Sequence, residues 1–335
     1  MALRNQTSIR SWGSGATCGT GEIRVAGTAT TARAPRRSLP TRPLRPRELQ
    51  DPLNFYLYHP LSWQLALRLA RTPITPNMVS VFGGLLVVCA AIAYAQPWGE
   101  AAALLGLALH MSWHVVDGAD GDLARITGRT SALGEMIDGI CDYVSHIVLY
   151  LVLATVLAAQ MDPAAAWGLT TFAGLSHIVQ SNHVEVQRRS YQYWVYGTPW
   201  LRHTHGMADA ETRRGIVATI AAAYLALASG LTPYALRIDA AVEAAAGDPA
   251  RLERIRAIVR CHAGPLILLL KFLGPNPRAI VLGASMLAGS PVWYFLYQSV
   301  ALNLLLVASV VVHNAAARRM AADIDALRQD GAGDA

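Results

Sequence analysis

Four aspartates in one short stretch are the side chains of this sequence best suited to chemistry. Asp117 and Asp120 are three residues apart, and Asp138 and Asp142 are four residues apart. Residues at these spacings lie on one face of an α-helix, so each pair can project from its own helix. Four converging carboxylates repel one another unless cations lie between them, and hard divalent ions prefer oxygen ligands of this kind. The spacing therefore predicts a site for divalent metal ions.

The elements that position the aspartates are predicted to be membrane helices. Long, mostly apolar runs flank the acidic stretch, at residues 101–116 and 147–159. Ionised side chains are expensive in hydrocarbon, and those that occur there usually pair, bind ions or line a wet cavity. We therefore expect two membrane helices, joined by a short loop, with their acids projecting toward a shared site.

The composition is typical of a membrane protein. Of the 335 residues, 53% are hydrophobic and 15% are charged, which is too apolar for an ordinary soluble domain. The net charge is +6, and Lys271 is the only lysine. The arginines cluster at the ends of apolar runs, which favours lipid headgroups over nucleic acid as their partners. The four cysteines form no CxxC pair, so neither a disulfide framework nor a zinc knuckle is indicated.

The chain is expected to have four parts. They are a disordered, Arg-rich cytoplasmic tail (1–48), an interfacial segment with a linker (49–77), a membrane domain (78–318) and a polar cytoplasmic tail (319–335). Residues 61–71 mix apolar and basic positions at helical spacing and predict an amphipathic helix in the membrane interface.

Apolar runs predict the crossings of the membrane domain. The runs cover residues 78–95, 101–118, 133–160, 163–186, 214–234, 261–273, 278–289 and 291–317. The two runs at 261–273 and 278–289 are short, and a crossing helix needs roughly 20 apolar residues. The predicted fold class is therefore an all-α polytopic membrane protein with six to eight transmembrane helices and an N-terminal interfacial amphipathic helix.

Arginine positions predict the orientation of the helices. Arg68 and Arg71 precede the first crossing, which places the N-terminus in the cytoplasm. The loop that carries Arg125 and Arg129 then also faces the cytoplasm. Residues 235–260 contain five arginines, yet they fall on the opposite side whichever number of helices is counted. The sequence alone leaves this conflict open.

Eight residues around the acid pairs match a longer pattern, D-x2-D-G-x2-A-R-x8-G-x3-D-x3-D. They are Asp117, Asp120, Gly121, Ala124, Arg125, Gly134, Asp138 and Asp142. This pattern resembles the signature of the CDP-alcohol phosphotransferase (CDP-alcohol phosphatidyltransferase) family, integral membrane enzymes of phospholipid synthesis. The surrounding helices are also similar to the membrane core of that family. Neither the N-terminal tail nor residues 187–260 show a clear resemblance.

The resemblance implies roles for the matching residues. Asp117, Asp120 and Asp138 correspond to ligands of two Mg²⁺ or Mn²⁺ ions. Asp142 corresponds to the proposed general base and is also counted among the metal ligands. The substrate-binding residues are expected to be Gly121, Ala124, Arg125 and Gly134. The guanidinium of Arg125 can form a fork with phosphate oxygens, whereas the two glycines either admit the nucleotide to the backbone or allow close helix packing.

The resemblance also implies a reaction. A substituted phosphate group would pass from a CDP-alcohol, expected to be CDP-diacylglycerol, to a hydroxyl acceptor such as a polar alcohol or sugar phosphate, with release of CMP. The reverse arrangement, a CDP-linked polar headgroup passed to a lipid alcohol, is the alternative within the family. A cation transporter and an inactive membrane scaffold are alternatives of other classes. Ion conduction does not need the Gly, Ala and Arg positions, and the intact acids argue against an inactive scaffold.

The expected setting is a bacterial inner (cytoplasmic) membrane with the site facing the cytoplasm. The partners are then membrane lipids, the CDP-alcohol donor and the hydroxyl acceptor, with no nucleic acid. Because members of the family often pair through membrane helices, a homodimer is also expected.

Other polar and aromatic residues allow two interpretations each. His110 and His114 have a spacing compatible with zinc, or they are hydrogen-bonded helix contacts. The aromatic residues of 191–200 suggest an interfacial belt or a gate for lipid entry, and Asn77 is a candidate nucleotide contact. A polar stripe on the fourth apolar run either lines the acceptor pocket or packs against another helix. It consists of Ser176, Gln180, His183 and Gln187.

Overall fold

The computed structural model describes residues 45–199 and 230–333, and every regular element among them is helical. A 3-10 turn at Arg47–Leu49 and a π turn at Asn54–Tyr58 precede the first α-helix. The α-helices are α1 (His59–Leu69), α2 (Pro76–Tyr94), α3 (Glu100–Thr127), α4 (Ala132–Ala158), α5 (Pro163–Tyr196), α6 (Ala235–Ala244), α7 (Pro249–Phe272), α8 (Pro275–Leu287), α9 (Val292–Leu296) and α10 (Leu302–Gly333). A π turn at Tyr297–Ala301 joins α9 to α10.

The described helices confirm the all-α polytopic fold. Four stretches are long and apolar enough to cross a membrane, namely Pro76–Tyr94, Gly134–Ala158, Pro249–Leu287 and Val292–Leu327. Helix α3 carries the first acid pair and α5 carries the polar stripe, and both pack among these four stretches, one of which holds the second acid pair. The predicted run at 214–234 lies mostly outside the described residues, as does the predicted tail before residue 45.

Local signals in the sequence fix the ends of the helices that carry the acids. Helix α3 does not stop at the first acid pair, as the apolar run 101–118 predicts, but continues to Thr127. It ends at Gly128, whose φ of +67° is a conformation that residues with a Cβ rarely adopt. Ser131 then caps α4 by accepting a hydrogen bond from the backbone N–H of Gly134. The loop between the two acid pairs is therefore only residues 128–131.

Helix α1 occupies the predicted amphipathic segment and packs directly against α3. The hydroxyl of Ser62 donates to the carbonyl of Val115 at 2.8 Å. A Cβ at Gly118 would lie 2.7 Å from the Ser62 hydroxyl oxygen, so this approach requires glycine. The opposite side of α1 stays open, since Leu61 is exposed. One face of α1 thus packs against the outer side of α3, the helix that carries Asp117 and Asp120.

The two short apolar runs near the C-terminus belong to one candidate crossing, Pro249–Leu287. Helices α7 and α8 are separated there by only Leu273 and Gly274. At the start of α8, Asn276 donates to both oxygens of Asp51 at 2.9 and 2.8 Å. Beyond its end, the carbonyl of Gly289 accepts from the side chain of Gln160, in the turn between α4 and α5. Helix α8 therefore runs from the end of the bundle that holds loop 128–131, where Asp51 lies, to the opposite end.

This arrangement resolves the conflict over the arginines of residues 235–260. We call the end of the bundle that holds loop 128–131 the motif end. Helix α5 ends there, and its Trp194 is buried in one apolar cluster with Ile238 of α6, Ile255 of α7 and Met320 of α10. The arginine-rich segment therefore lies at the motif end, together with the arginines of the motif itself. Arginine is enriched on the cytoplasmic side, and this placement obeys that rule.

Aromatic residues at the end of α5 are part of this cluster. Tyr191 and Trp194 are buried, and the indole N–H of Trp194 donates to Asp239 of α6 at 2.6 Å. The interpretation of these two residues as an interfacial aromatic belt is therefore wrong, because α6 and α7 cover them. Helix α5 is also ten residues longer than its apolar run, and α10 is helical through the segment predicted as a polar tail.

Residues 45–58, which we call the strap, run across the motif end. The Arg45 guanidinium donates to Asp122 of α3 at 2.9 Å. Glu48 accepts hydrogen bonds from the hydroxyl groups of Tyr191 and Tyr196 at the end of α5. Burial raises the pKa of Glu48, but these hydrogen bonds, one with its own backbone and the charge of Arg260 together outweigh burial, so the pKa lies below its usual value. The ionised Glu48 fastens the strap to α5.

We expect thiol labelling to report this arrangement. In a background with serine at the native cysteines, Thr130→Cys and Gly247→Cys place a thiol in the motif loop and in the α6–α7 turn. Both should resist an impermeant maleimide in sealed, right-side-out vesicles, whereas Met161→Cys at the opposite end should be labelled. Labelling of Gly247→Cys with protection of Thr130→Cys would contradict the placement of residues 235–260.

Candidate functional site

Three of the four motif aspartates form a cluster between α3 and α4. Asp117, Asp120 and Asp138 each offer one carboxylate oxygen, and the three oxygens lie within 4.8 Å of one another. Asp120 is buried, and the other two are half-buried. The structure therefore brings together three of the four residues predicted as metal ligands, and the fourth, Asp142, is not part of this group. Three hard oxygen donors at this separation suit Mg²⁺ or Mn²⁺.

Helix α2 supports this cluster through Ser80. The hydroxyl of Ser80 donates to Oδ2 of Asp120 at 2.5 Å, and the backbone N–H of Gly121 donates to Oδ1. Both oxygens of Asp120 are thus oriented before any ion binds. The sequence analysis missed Ser80, because it lies 40 residues from Asp120 and its only signal is one hydroxyl in an apolar helix.

Asp142 lies beside the cluster and has its own support. The indole N–H of Trp113 donates to Oδ1 of Asp142 at 3.1 Å, and the carboxyl group of Asp142 also interacts with that of Asp117. The backbone carbonyl of Asp142 contacts Nδ1 of His146 at 2.8 Å, one turn further along α4. Asp142 is therefore held next to the three clustered carboxylates without belonging to that group.

A cavity of about 130 Å³ opens beside the acids at the motif end. All four predicted substrate-binding residues line it, together with Asn77, Asp120 and Asp138. The four are Gly121, Ala124, Arg125 and Gly134. The structure thus places Asn77 at this cavity, although the spacing of the motif does not include it.

The two cavity glycines are not required by helix packing. A Cβ at Gly121 would meet only the Arg125 guanidinium, at 3.6 Å, and one at Gly134 would meet the hydroxyl of Ser131 and the side chain of Asn77. Among the described residues, the atoms nearest to either Cβ belong to side chains and not to the backbone of a neighbouring helix. The geometry therefore favours glycines that leave the backbone open to a ligand.

Arg125 stands at the edge of the cavity in an ion pair. Its guanidinium donates to Oδ1 of Asp122 at 2.5 Å. The Asp122 side chain is 3% exposed, whereas that of Arg125 is 45% exposed. One end of the pair is thus buried in the bundle, and the other faces the space in which an anionic ligand would lie.

On the side of the acids that faces away from the motif end, aromatic rings pack against one another inside the bundle. The rings of His110 and His146 have centroids 5.8 Å apart, and the His114 ring stacks on Tyr58 at 5.0 Å. Among the described residues, the group able to hold a metal ion contains three aspartates and no histidine. This favours His110 and His114 as ring contacts between helices over a zinc site.

The polar stripe of α5 packs against other helices. Asn303 of α10 donates to Ser176 and accepts from Gln180, both at 2.8 Å. His183 contacts the hydroxyl of Ser309 on α10 at 2.9 Å. The fourth residue, Gln187, donates to Thr232 at 2.8 Å. Of the two interpretations of this stripe, the structure favours interhelical packing.

Comparison with known families agrees with the pattern of acids. A family model described as CDP-alcohol phosphatidyltransferase matches residues 73–313. The match begins just before α2, includes both acid pairs and ends within α10. It thus extends far beyond the motif and takes in the helices that build the cavity and its support.

We expect Ser80→Ala to weaken metal binding. Loss of the hydroxyl leaves one oxygen of Asp120 without its donor, and loss of such a supporting contact typically lowers metal affinity about 10–100-fold. Binding of Mn²⁺ to the purified protein, measured by electron paramagnetic resonance, is the readout. Ser112→Ala is the matched control, since Ser112 is exposed and donates only to a carbonyl of its own helix. Equal affinity in both variants would contradict the role of Ser80.

Proposed function

Because the chain belongs to the CDP-alcohol phosphatidyltransferase family, a family of transferases of substituted phosphate groups, we propose that its donor is CDP-diacylglycerol. The phosphatidyl group passes to the hydroxyl of a polar acceptor, and CMP is released. The observation that carries this proposal is the cluster of carboxylates beside a cavity lined by Arg125 and two glycines. Membership of a transferase family argues against the cation transporter. The reverse arrangement of lipid and headgroup is the remaining alternative.

The acids fit the divalent ions on which such a reaction depends. Asp117, Asp120 and Asp138 would hold two Mg²⁺ or Mn²⁺ ions, with Asp142 at their edge. When bound, the ions neutralise the donor pyrophosphate and stabilise the charge that develops in the transition state. The support given to Asp120 by Ser80 and Gly121 fixes ligand directions in advance, which lowers the cost of assembling the site.

Residues of the cavity bind the nucleotide end of the donor. Gly121 and Gly134 let the donor approach the backbone, and Asn77 offers an amide at the same wall. Arg125 is placed to form a bidentate contact with the pyrophosphate. The diacylglycerol tails extend into the surrounding lipid, because the cavity opens at the motif end of membrane helices.

Asp142 accepts the proton of the acceptor hydroxyl. The hydroxyl oxygen attacks the β-phosphate of the donor, the new phosphate ester forms, and the bond to CMP breaks. Trp113 holds one oxygen of Asp142, so the direction of the carboxylate is set before the acceptor arrives. A positioned general base of this kind typically contributes roughly 10²–10⁴-fold to the rate.

A buried arginine indicates the charge of the acceptor. Arg278 is 5% exposed, and its hydrogen bonds go to the neutral side chains of Ser181 and Gln180. Its Nε has no partner among the described residues. A buried cation is normally paired with an anion. Arg278 also interacts electrostatically with His146, one turn from Asp142. This favours an acceptor alcohol that carries an anionic group, such as a sugar phosphate.

The setting of the enzyme follows the positive-inside rule. We propose that the motif end faces the cytoplasm of a bacterial inner membrane, because loop 128–131 and residues 235–260 carry arginines at this one end. A homodimer through membrane helices is proposed on the family resemblance alone.

The proposal is tested with purified protein, labelled CDP-diacylglycerol and a panel of polar alcohols and their phosphates. We expect Mg²⁺-dependent release of CMP and one new phospholipid, formed from a phosphorylated acceptor. EDTA should abolish turnover, and Mg²⁺ or Mn²⁺ should restore it. A CDP-linked headgroup accepted as donor, with diacylglycerol as acceptor, would instead support the reverse arrangement. Undiminished turnover in chelator would contradict the metal site.

Substitutions of Asp138 and Asp142 should separate their roles. Asp138→Asn removes a metal ligand, so we expect it to lose donor binding in Mg²⁺. Asp142→Asn keeps the cluster of three and should bind the donor, but single-turnover release of CMP should fall by roughly 10²–10⁴-fold. If Asp142→Asn loses donor affinity as severely as Asp138→Asn, then Asp142 is a metal ligand and the base lies elsewhere.

A further inference from the structure

Asp122 is a buried carboxylate that two arginines share. Its Oδ1 accepts from Arg125 at 2.5 Å and from Arg45 of the strap at 2.9 Å. Asp122 is not one of the four motif acids, and neither it nor Arg45 lines the cavity. The proposed function requires Arg125 but assigns nothing to the other two residues. The role of Arg45, the second arginine on Asp122, is therefore unassigned.

The position of Asp122 creates a difficulty for donor binding. Nη2 of Arg125 donates to Oδ1 of Asp122, so a fork with the donor pyrophosphate that uses Nη2 requires the guanidinium to turn away from Asp122. If Arg125 turned toward the phosphates and Asp122 had no other cation, a buried charge would be left uncompensated, which is strongly unfavourable. The donor would then have to offset this cost with part of its binding energy.

We propose that Arg45 is a positioning residue that keeps Asp122 neutralised when Arg125 turns to the donor phosphate. This inference deepens the proposed function and rests on it, because it takes the pyrophosphate as the ligand of Arg125. Arg45 acts through Asp122 and has no contact with the donor. Arg45 thereby supports the donor site, although it lies more than 70 residues before Asp117.

The anchors of the strap make Arg45 suited to this role. Glu48 is fastened to the end of α5, and Asp51 to Asn276 at the start of α8. Both anchors are independent of Arg125. The Arg45 side chain is 29% exposed, whereas that of Arg125 is 45% exposed. Arg45 is thus the more enclosed partner of Asp122, and Arg125 is the one with room to move.

Arg45 also exerts an electrostatic effect on Asp117. Loss of Arg45 could therefore act through the metal-binding acids instead of through Asp122. A double-mutant cycle separates these two routes, because it isolates the coupling between Arg45 and Asp122.

The test measures binding of CDP to the purified protein in Mg²⁺ by calorimetry. The variants are Arg45→Gln, Asp122→Asn and the two combined. We expect Arg45→Gln to weaken CDP binding roughly tenfold, because the interaction energy between two contacting residues is typically of this size. In the Asp122→Asn background the same substitution should have no effect, because no buried charge is left to neutralise. Weakening in both backgrounds, or in neither, would overturn the proposal.

Two further variants exclude a general defect of the strap. Arg47→Gln removes a neighbouring cation that lies over the Phe55 ring, and it should bind CDP like the parent. Arg45→Lys retains the charge, so it should bind CDP more tightly than Arg45→Gln. Failure of Arg45→Lys to recover affinity would contradict a counter-ion role. In steady-state assays, Arg45→Gln should raise the KM for the donor and leave the KM for the acceptor unchanged.

The outcomes also separate this inference from the proposed function. If the parent protein neither binds CDP in Mg²⁺ nor releases CMP from CDP-diacylglycerol, the proposed function itself is wrong. If the parent does both and Arg45→Gln behaves like the parent, only the role of Arg45 is wrong.

Discussion

The structure depends on holding carboxylates together at the end of a helical bundle, where each of them repels the others. Three of the carboxylates have oxygens within 4.8 Å of one another and are buried or half-buried, so their repulsion is stronger than it would be in bulk water. The surrounding groups reduce this cost. Ser80 and the backbone of Gly121 donate to Asp120, and Trp113 donates to Asp142. These contacts come from α2 and α3 themselves, so the packing of the helices and the geometry of the site cannot be separated.

The packing of α2, α3 and α4 follows from this requirement. Thr75 caps α2, and Pro76 occupies its first turn, where a missing N–H costs no hydrogen bond. Because α2 begins at Pro76, Ser80 lies one turn further along this helix, at the level of Asp120 on α3. On the outer side, the close approach of α1 at Gly118 leaves α3 little room to shift. Two neighbours on different sides thus fix the helix that carries the first acid pair.

The sequence predicts the acid cluster well because its information is local. Spacings of three and four residues specify a helical face, and both halves of the motif lie on helices joined by a four-residue loop. The supporting residues were not predicted, because they come from distant parts of the chain. Ser80 and Trp113 are an ordinary serine and tryptophan in apolar segments, and only the packing of α2, α3 and α4 gives them partners.

Counting crossings from the sequence is ambiguous for a similar reason. The interruption at Gly274 looks like a boundary between two crossings, yet the stretch Pro249–Leu287, which includes α7 and α8, is one candidate crossing. Hydropathy registers the apolar residues on either side of the turn and contains no information about how the two helices pack. The arginines of residues 235–260 are placed by tertiary packing instead, since α6 and α7 pack on the end of α5 and therefore lie at the motif end.

The charges at the motif end extend this reasoning to the chemistry. A membrane enzyme with an anionic lipid donor needs cations that can meet phosphate. The carboxylate of Asp122, which is 3% exposed, needs a cation whether or not the donor is bound, because an unpaired buried charge is costly. Both Arg125 and Arg45 contact Asp122 in the structure, and in the proposed arrangement Arg45 keeps this contact when Arg125 turns to the phosphate. The same N–H group of Arg125 cannot serve Asp122 and the donor at once, and the strap is the part of the described chain that brings a second charge to Asp122.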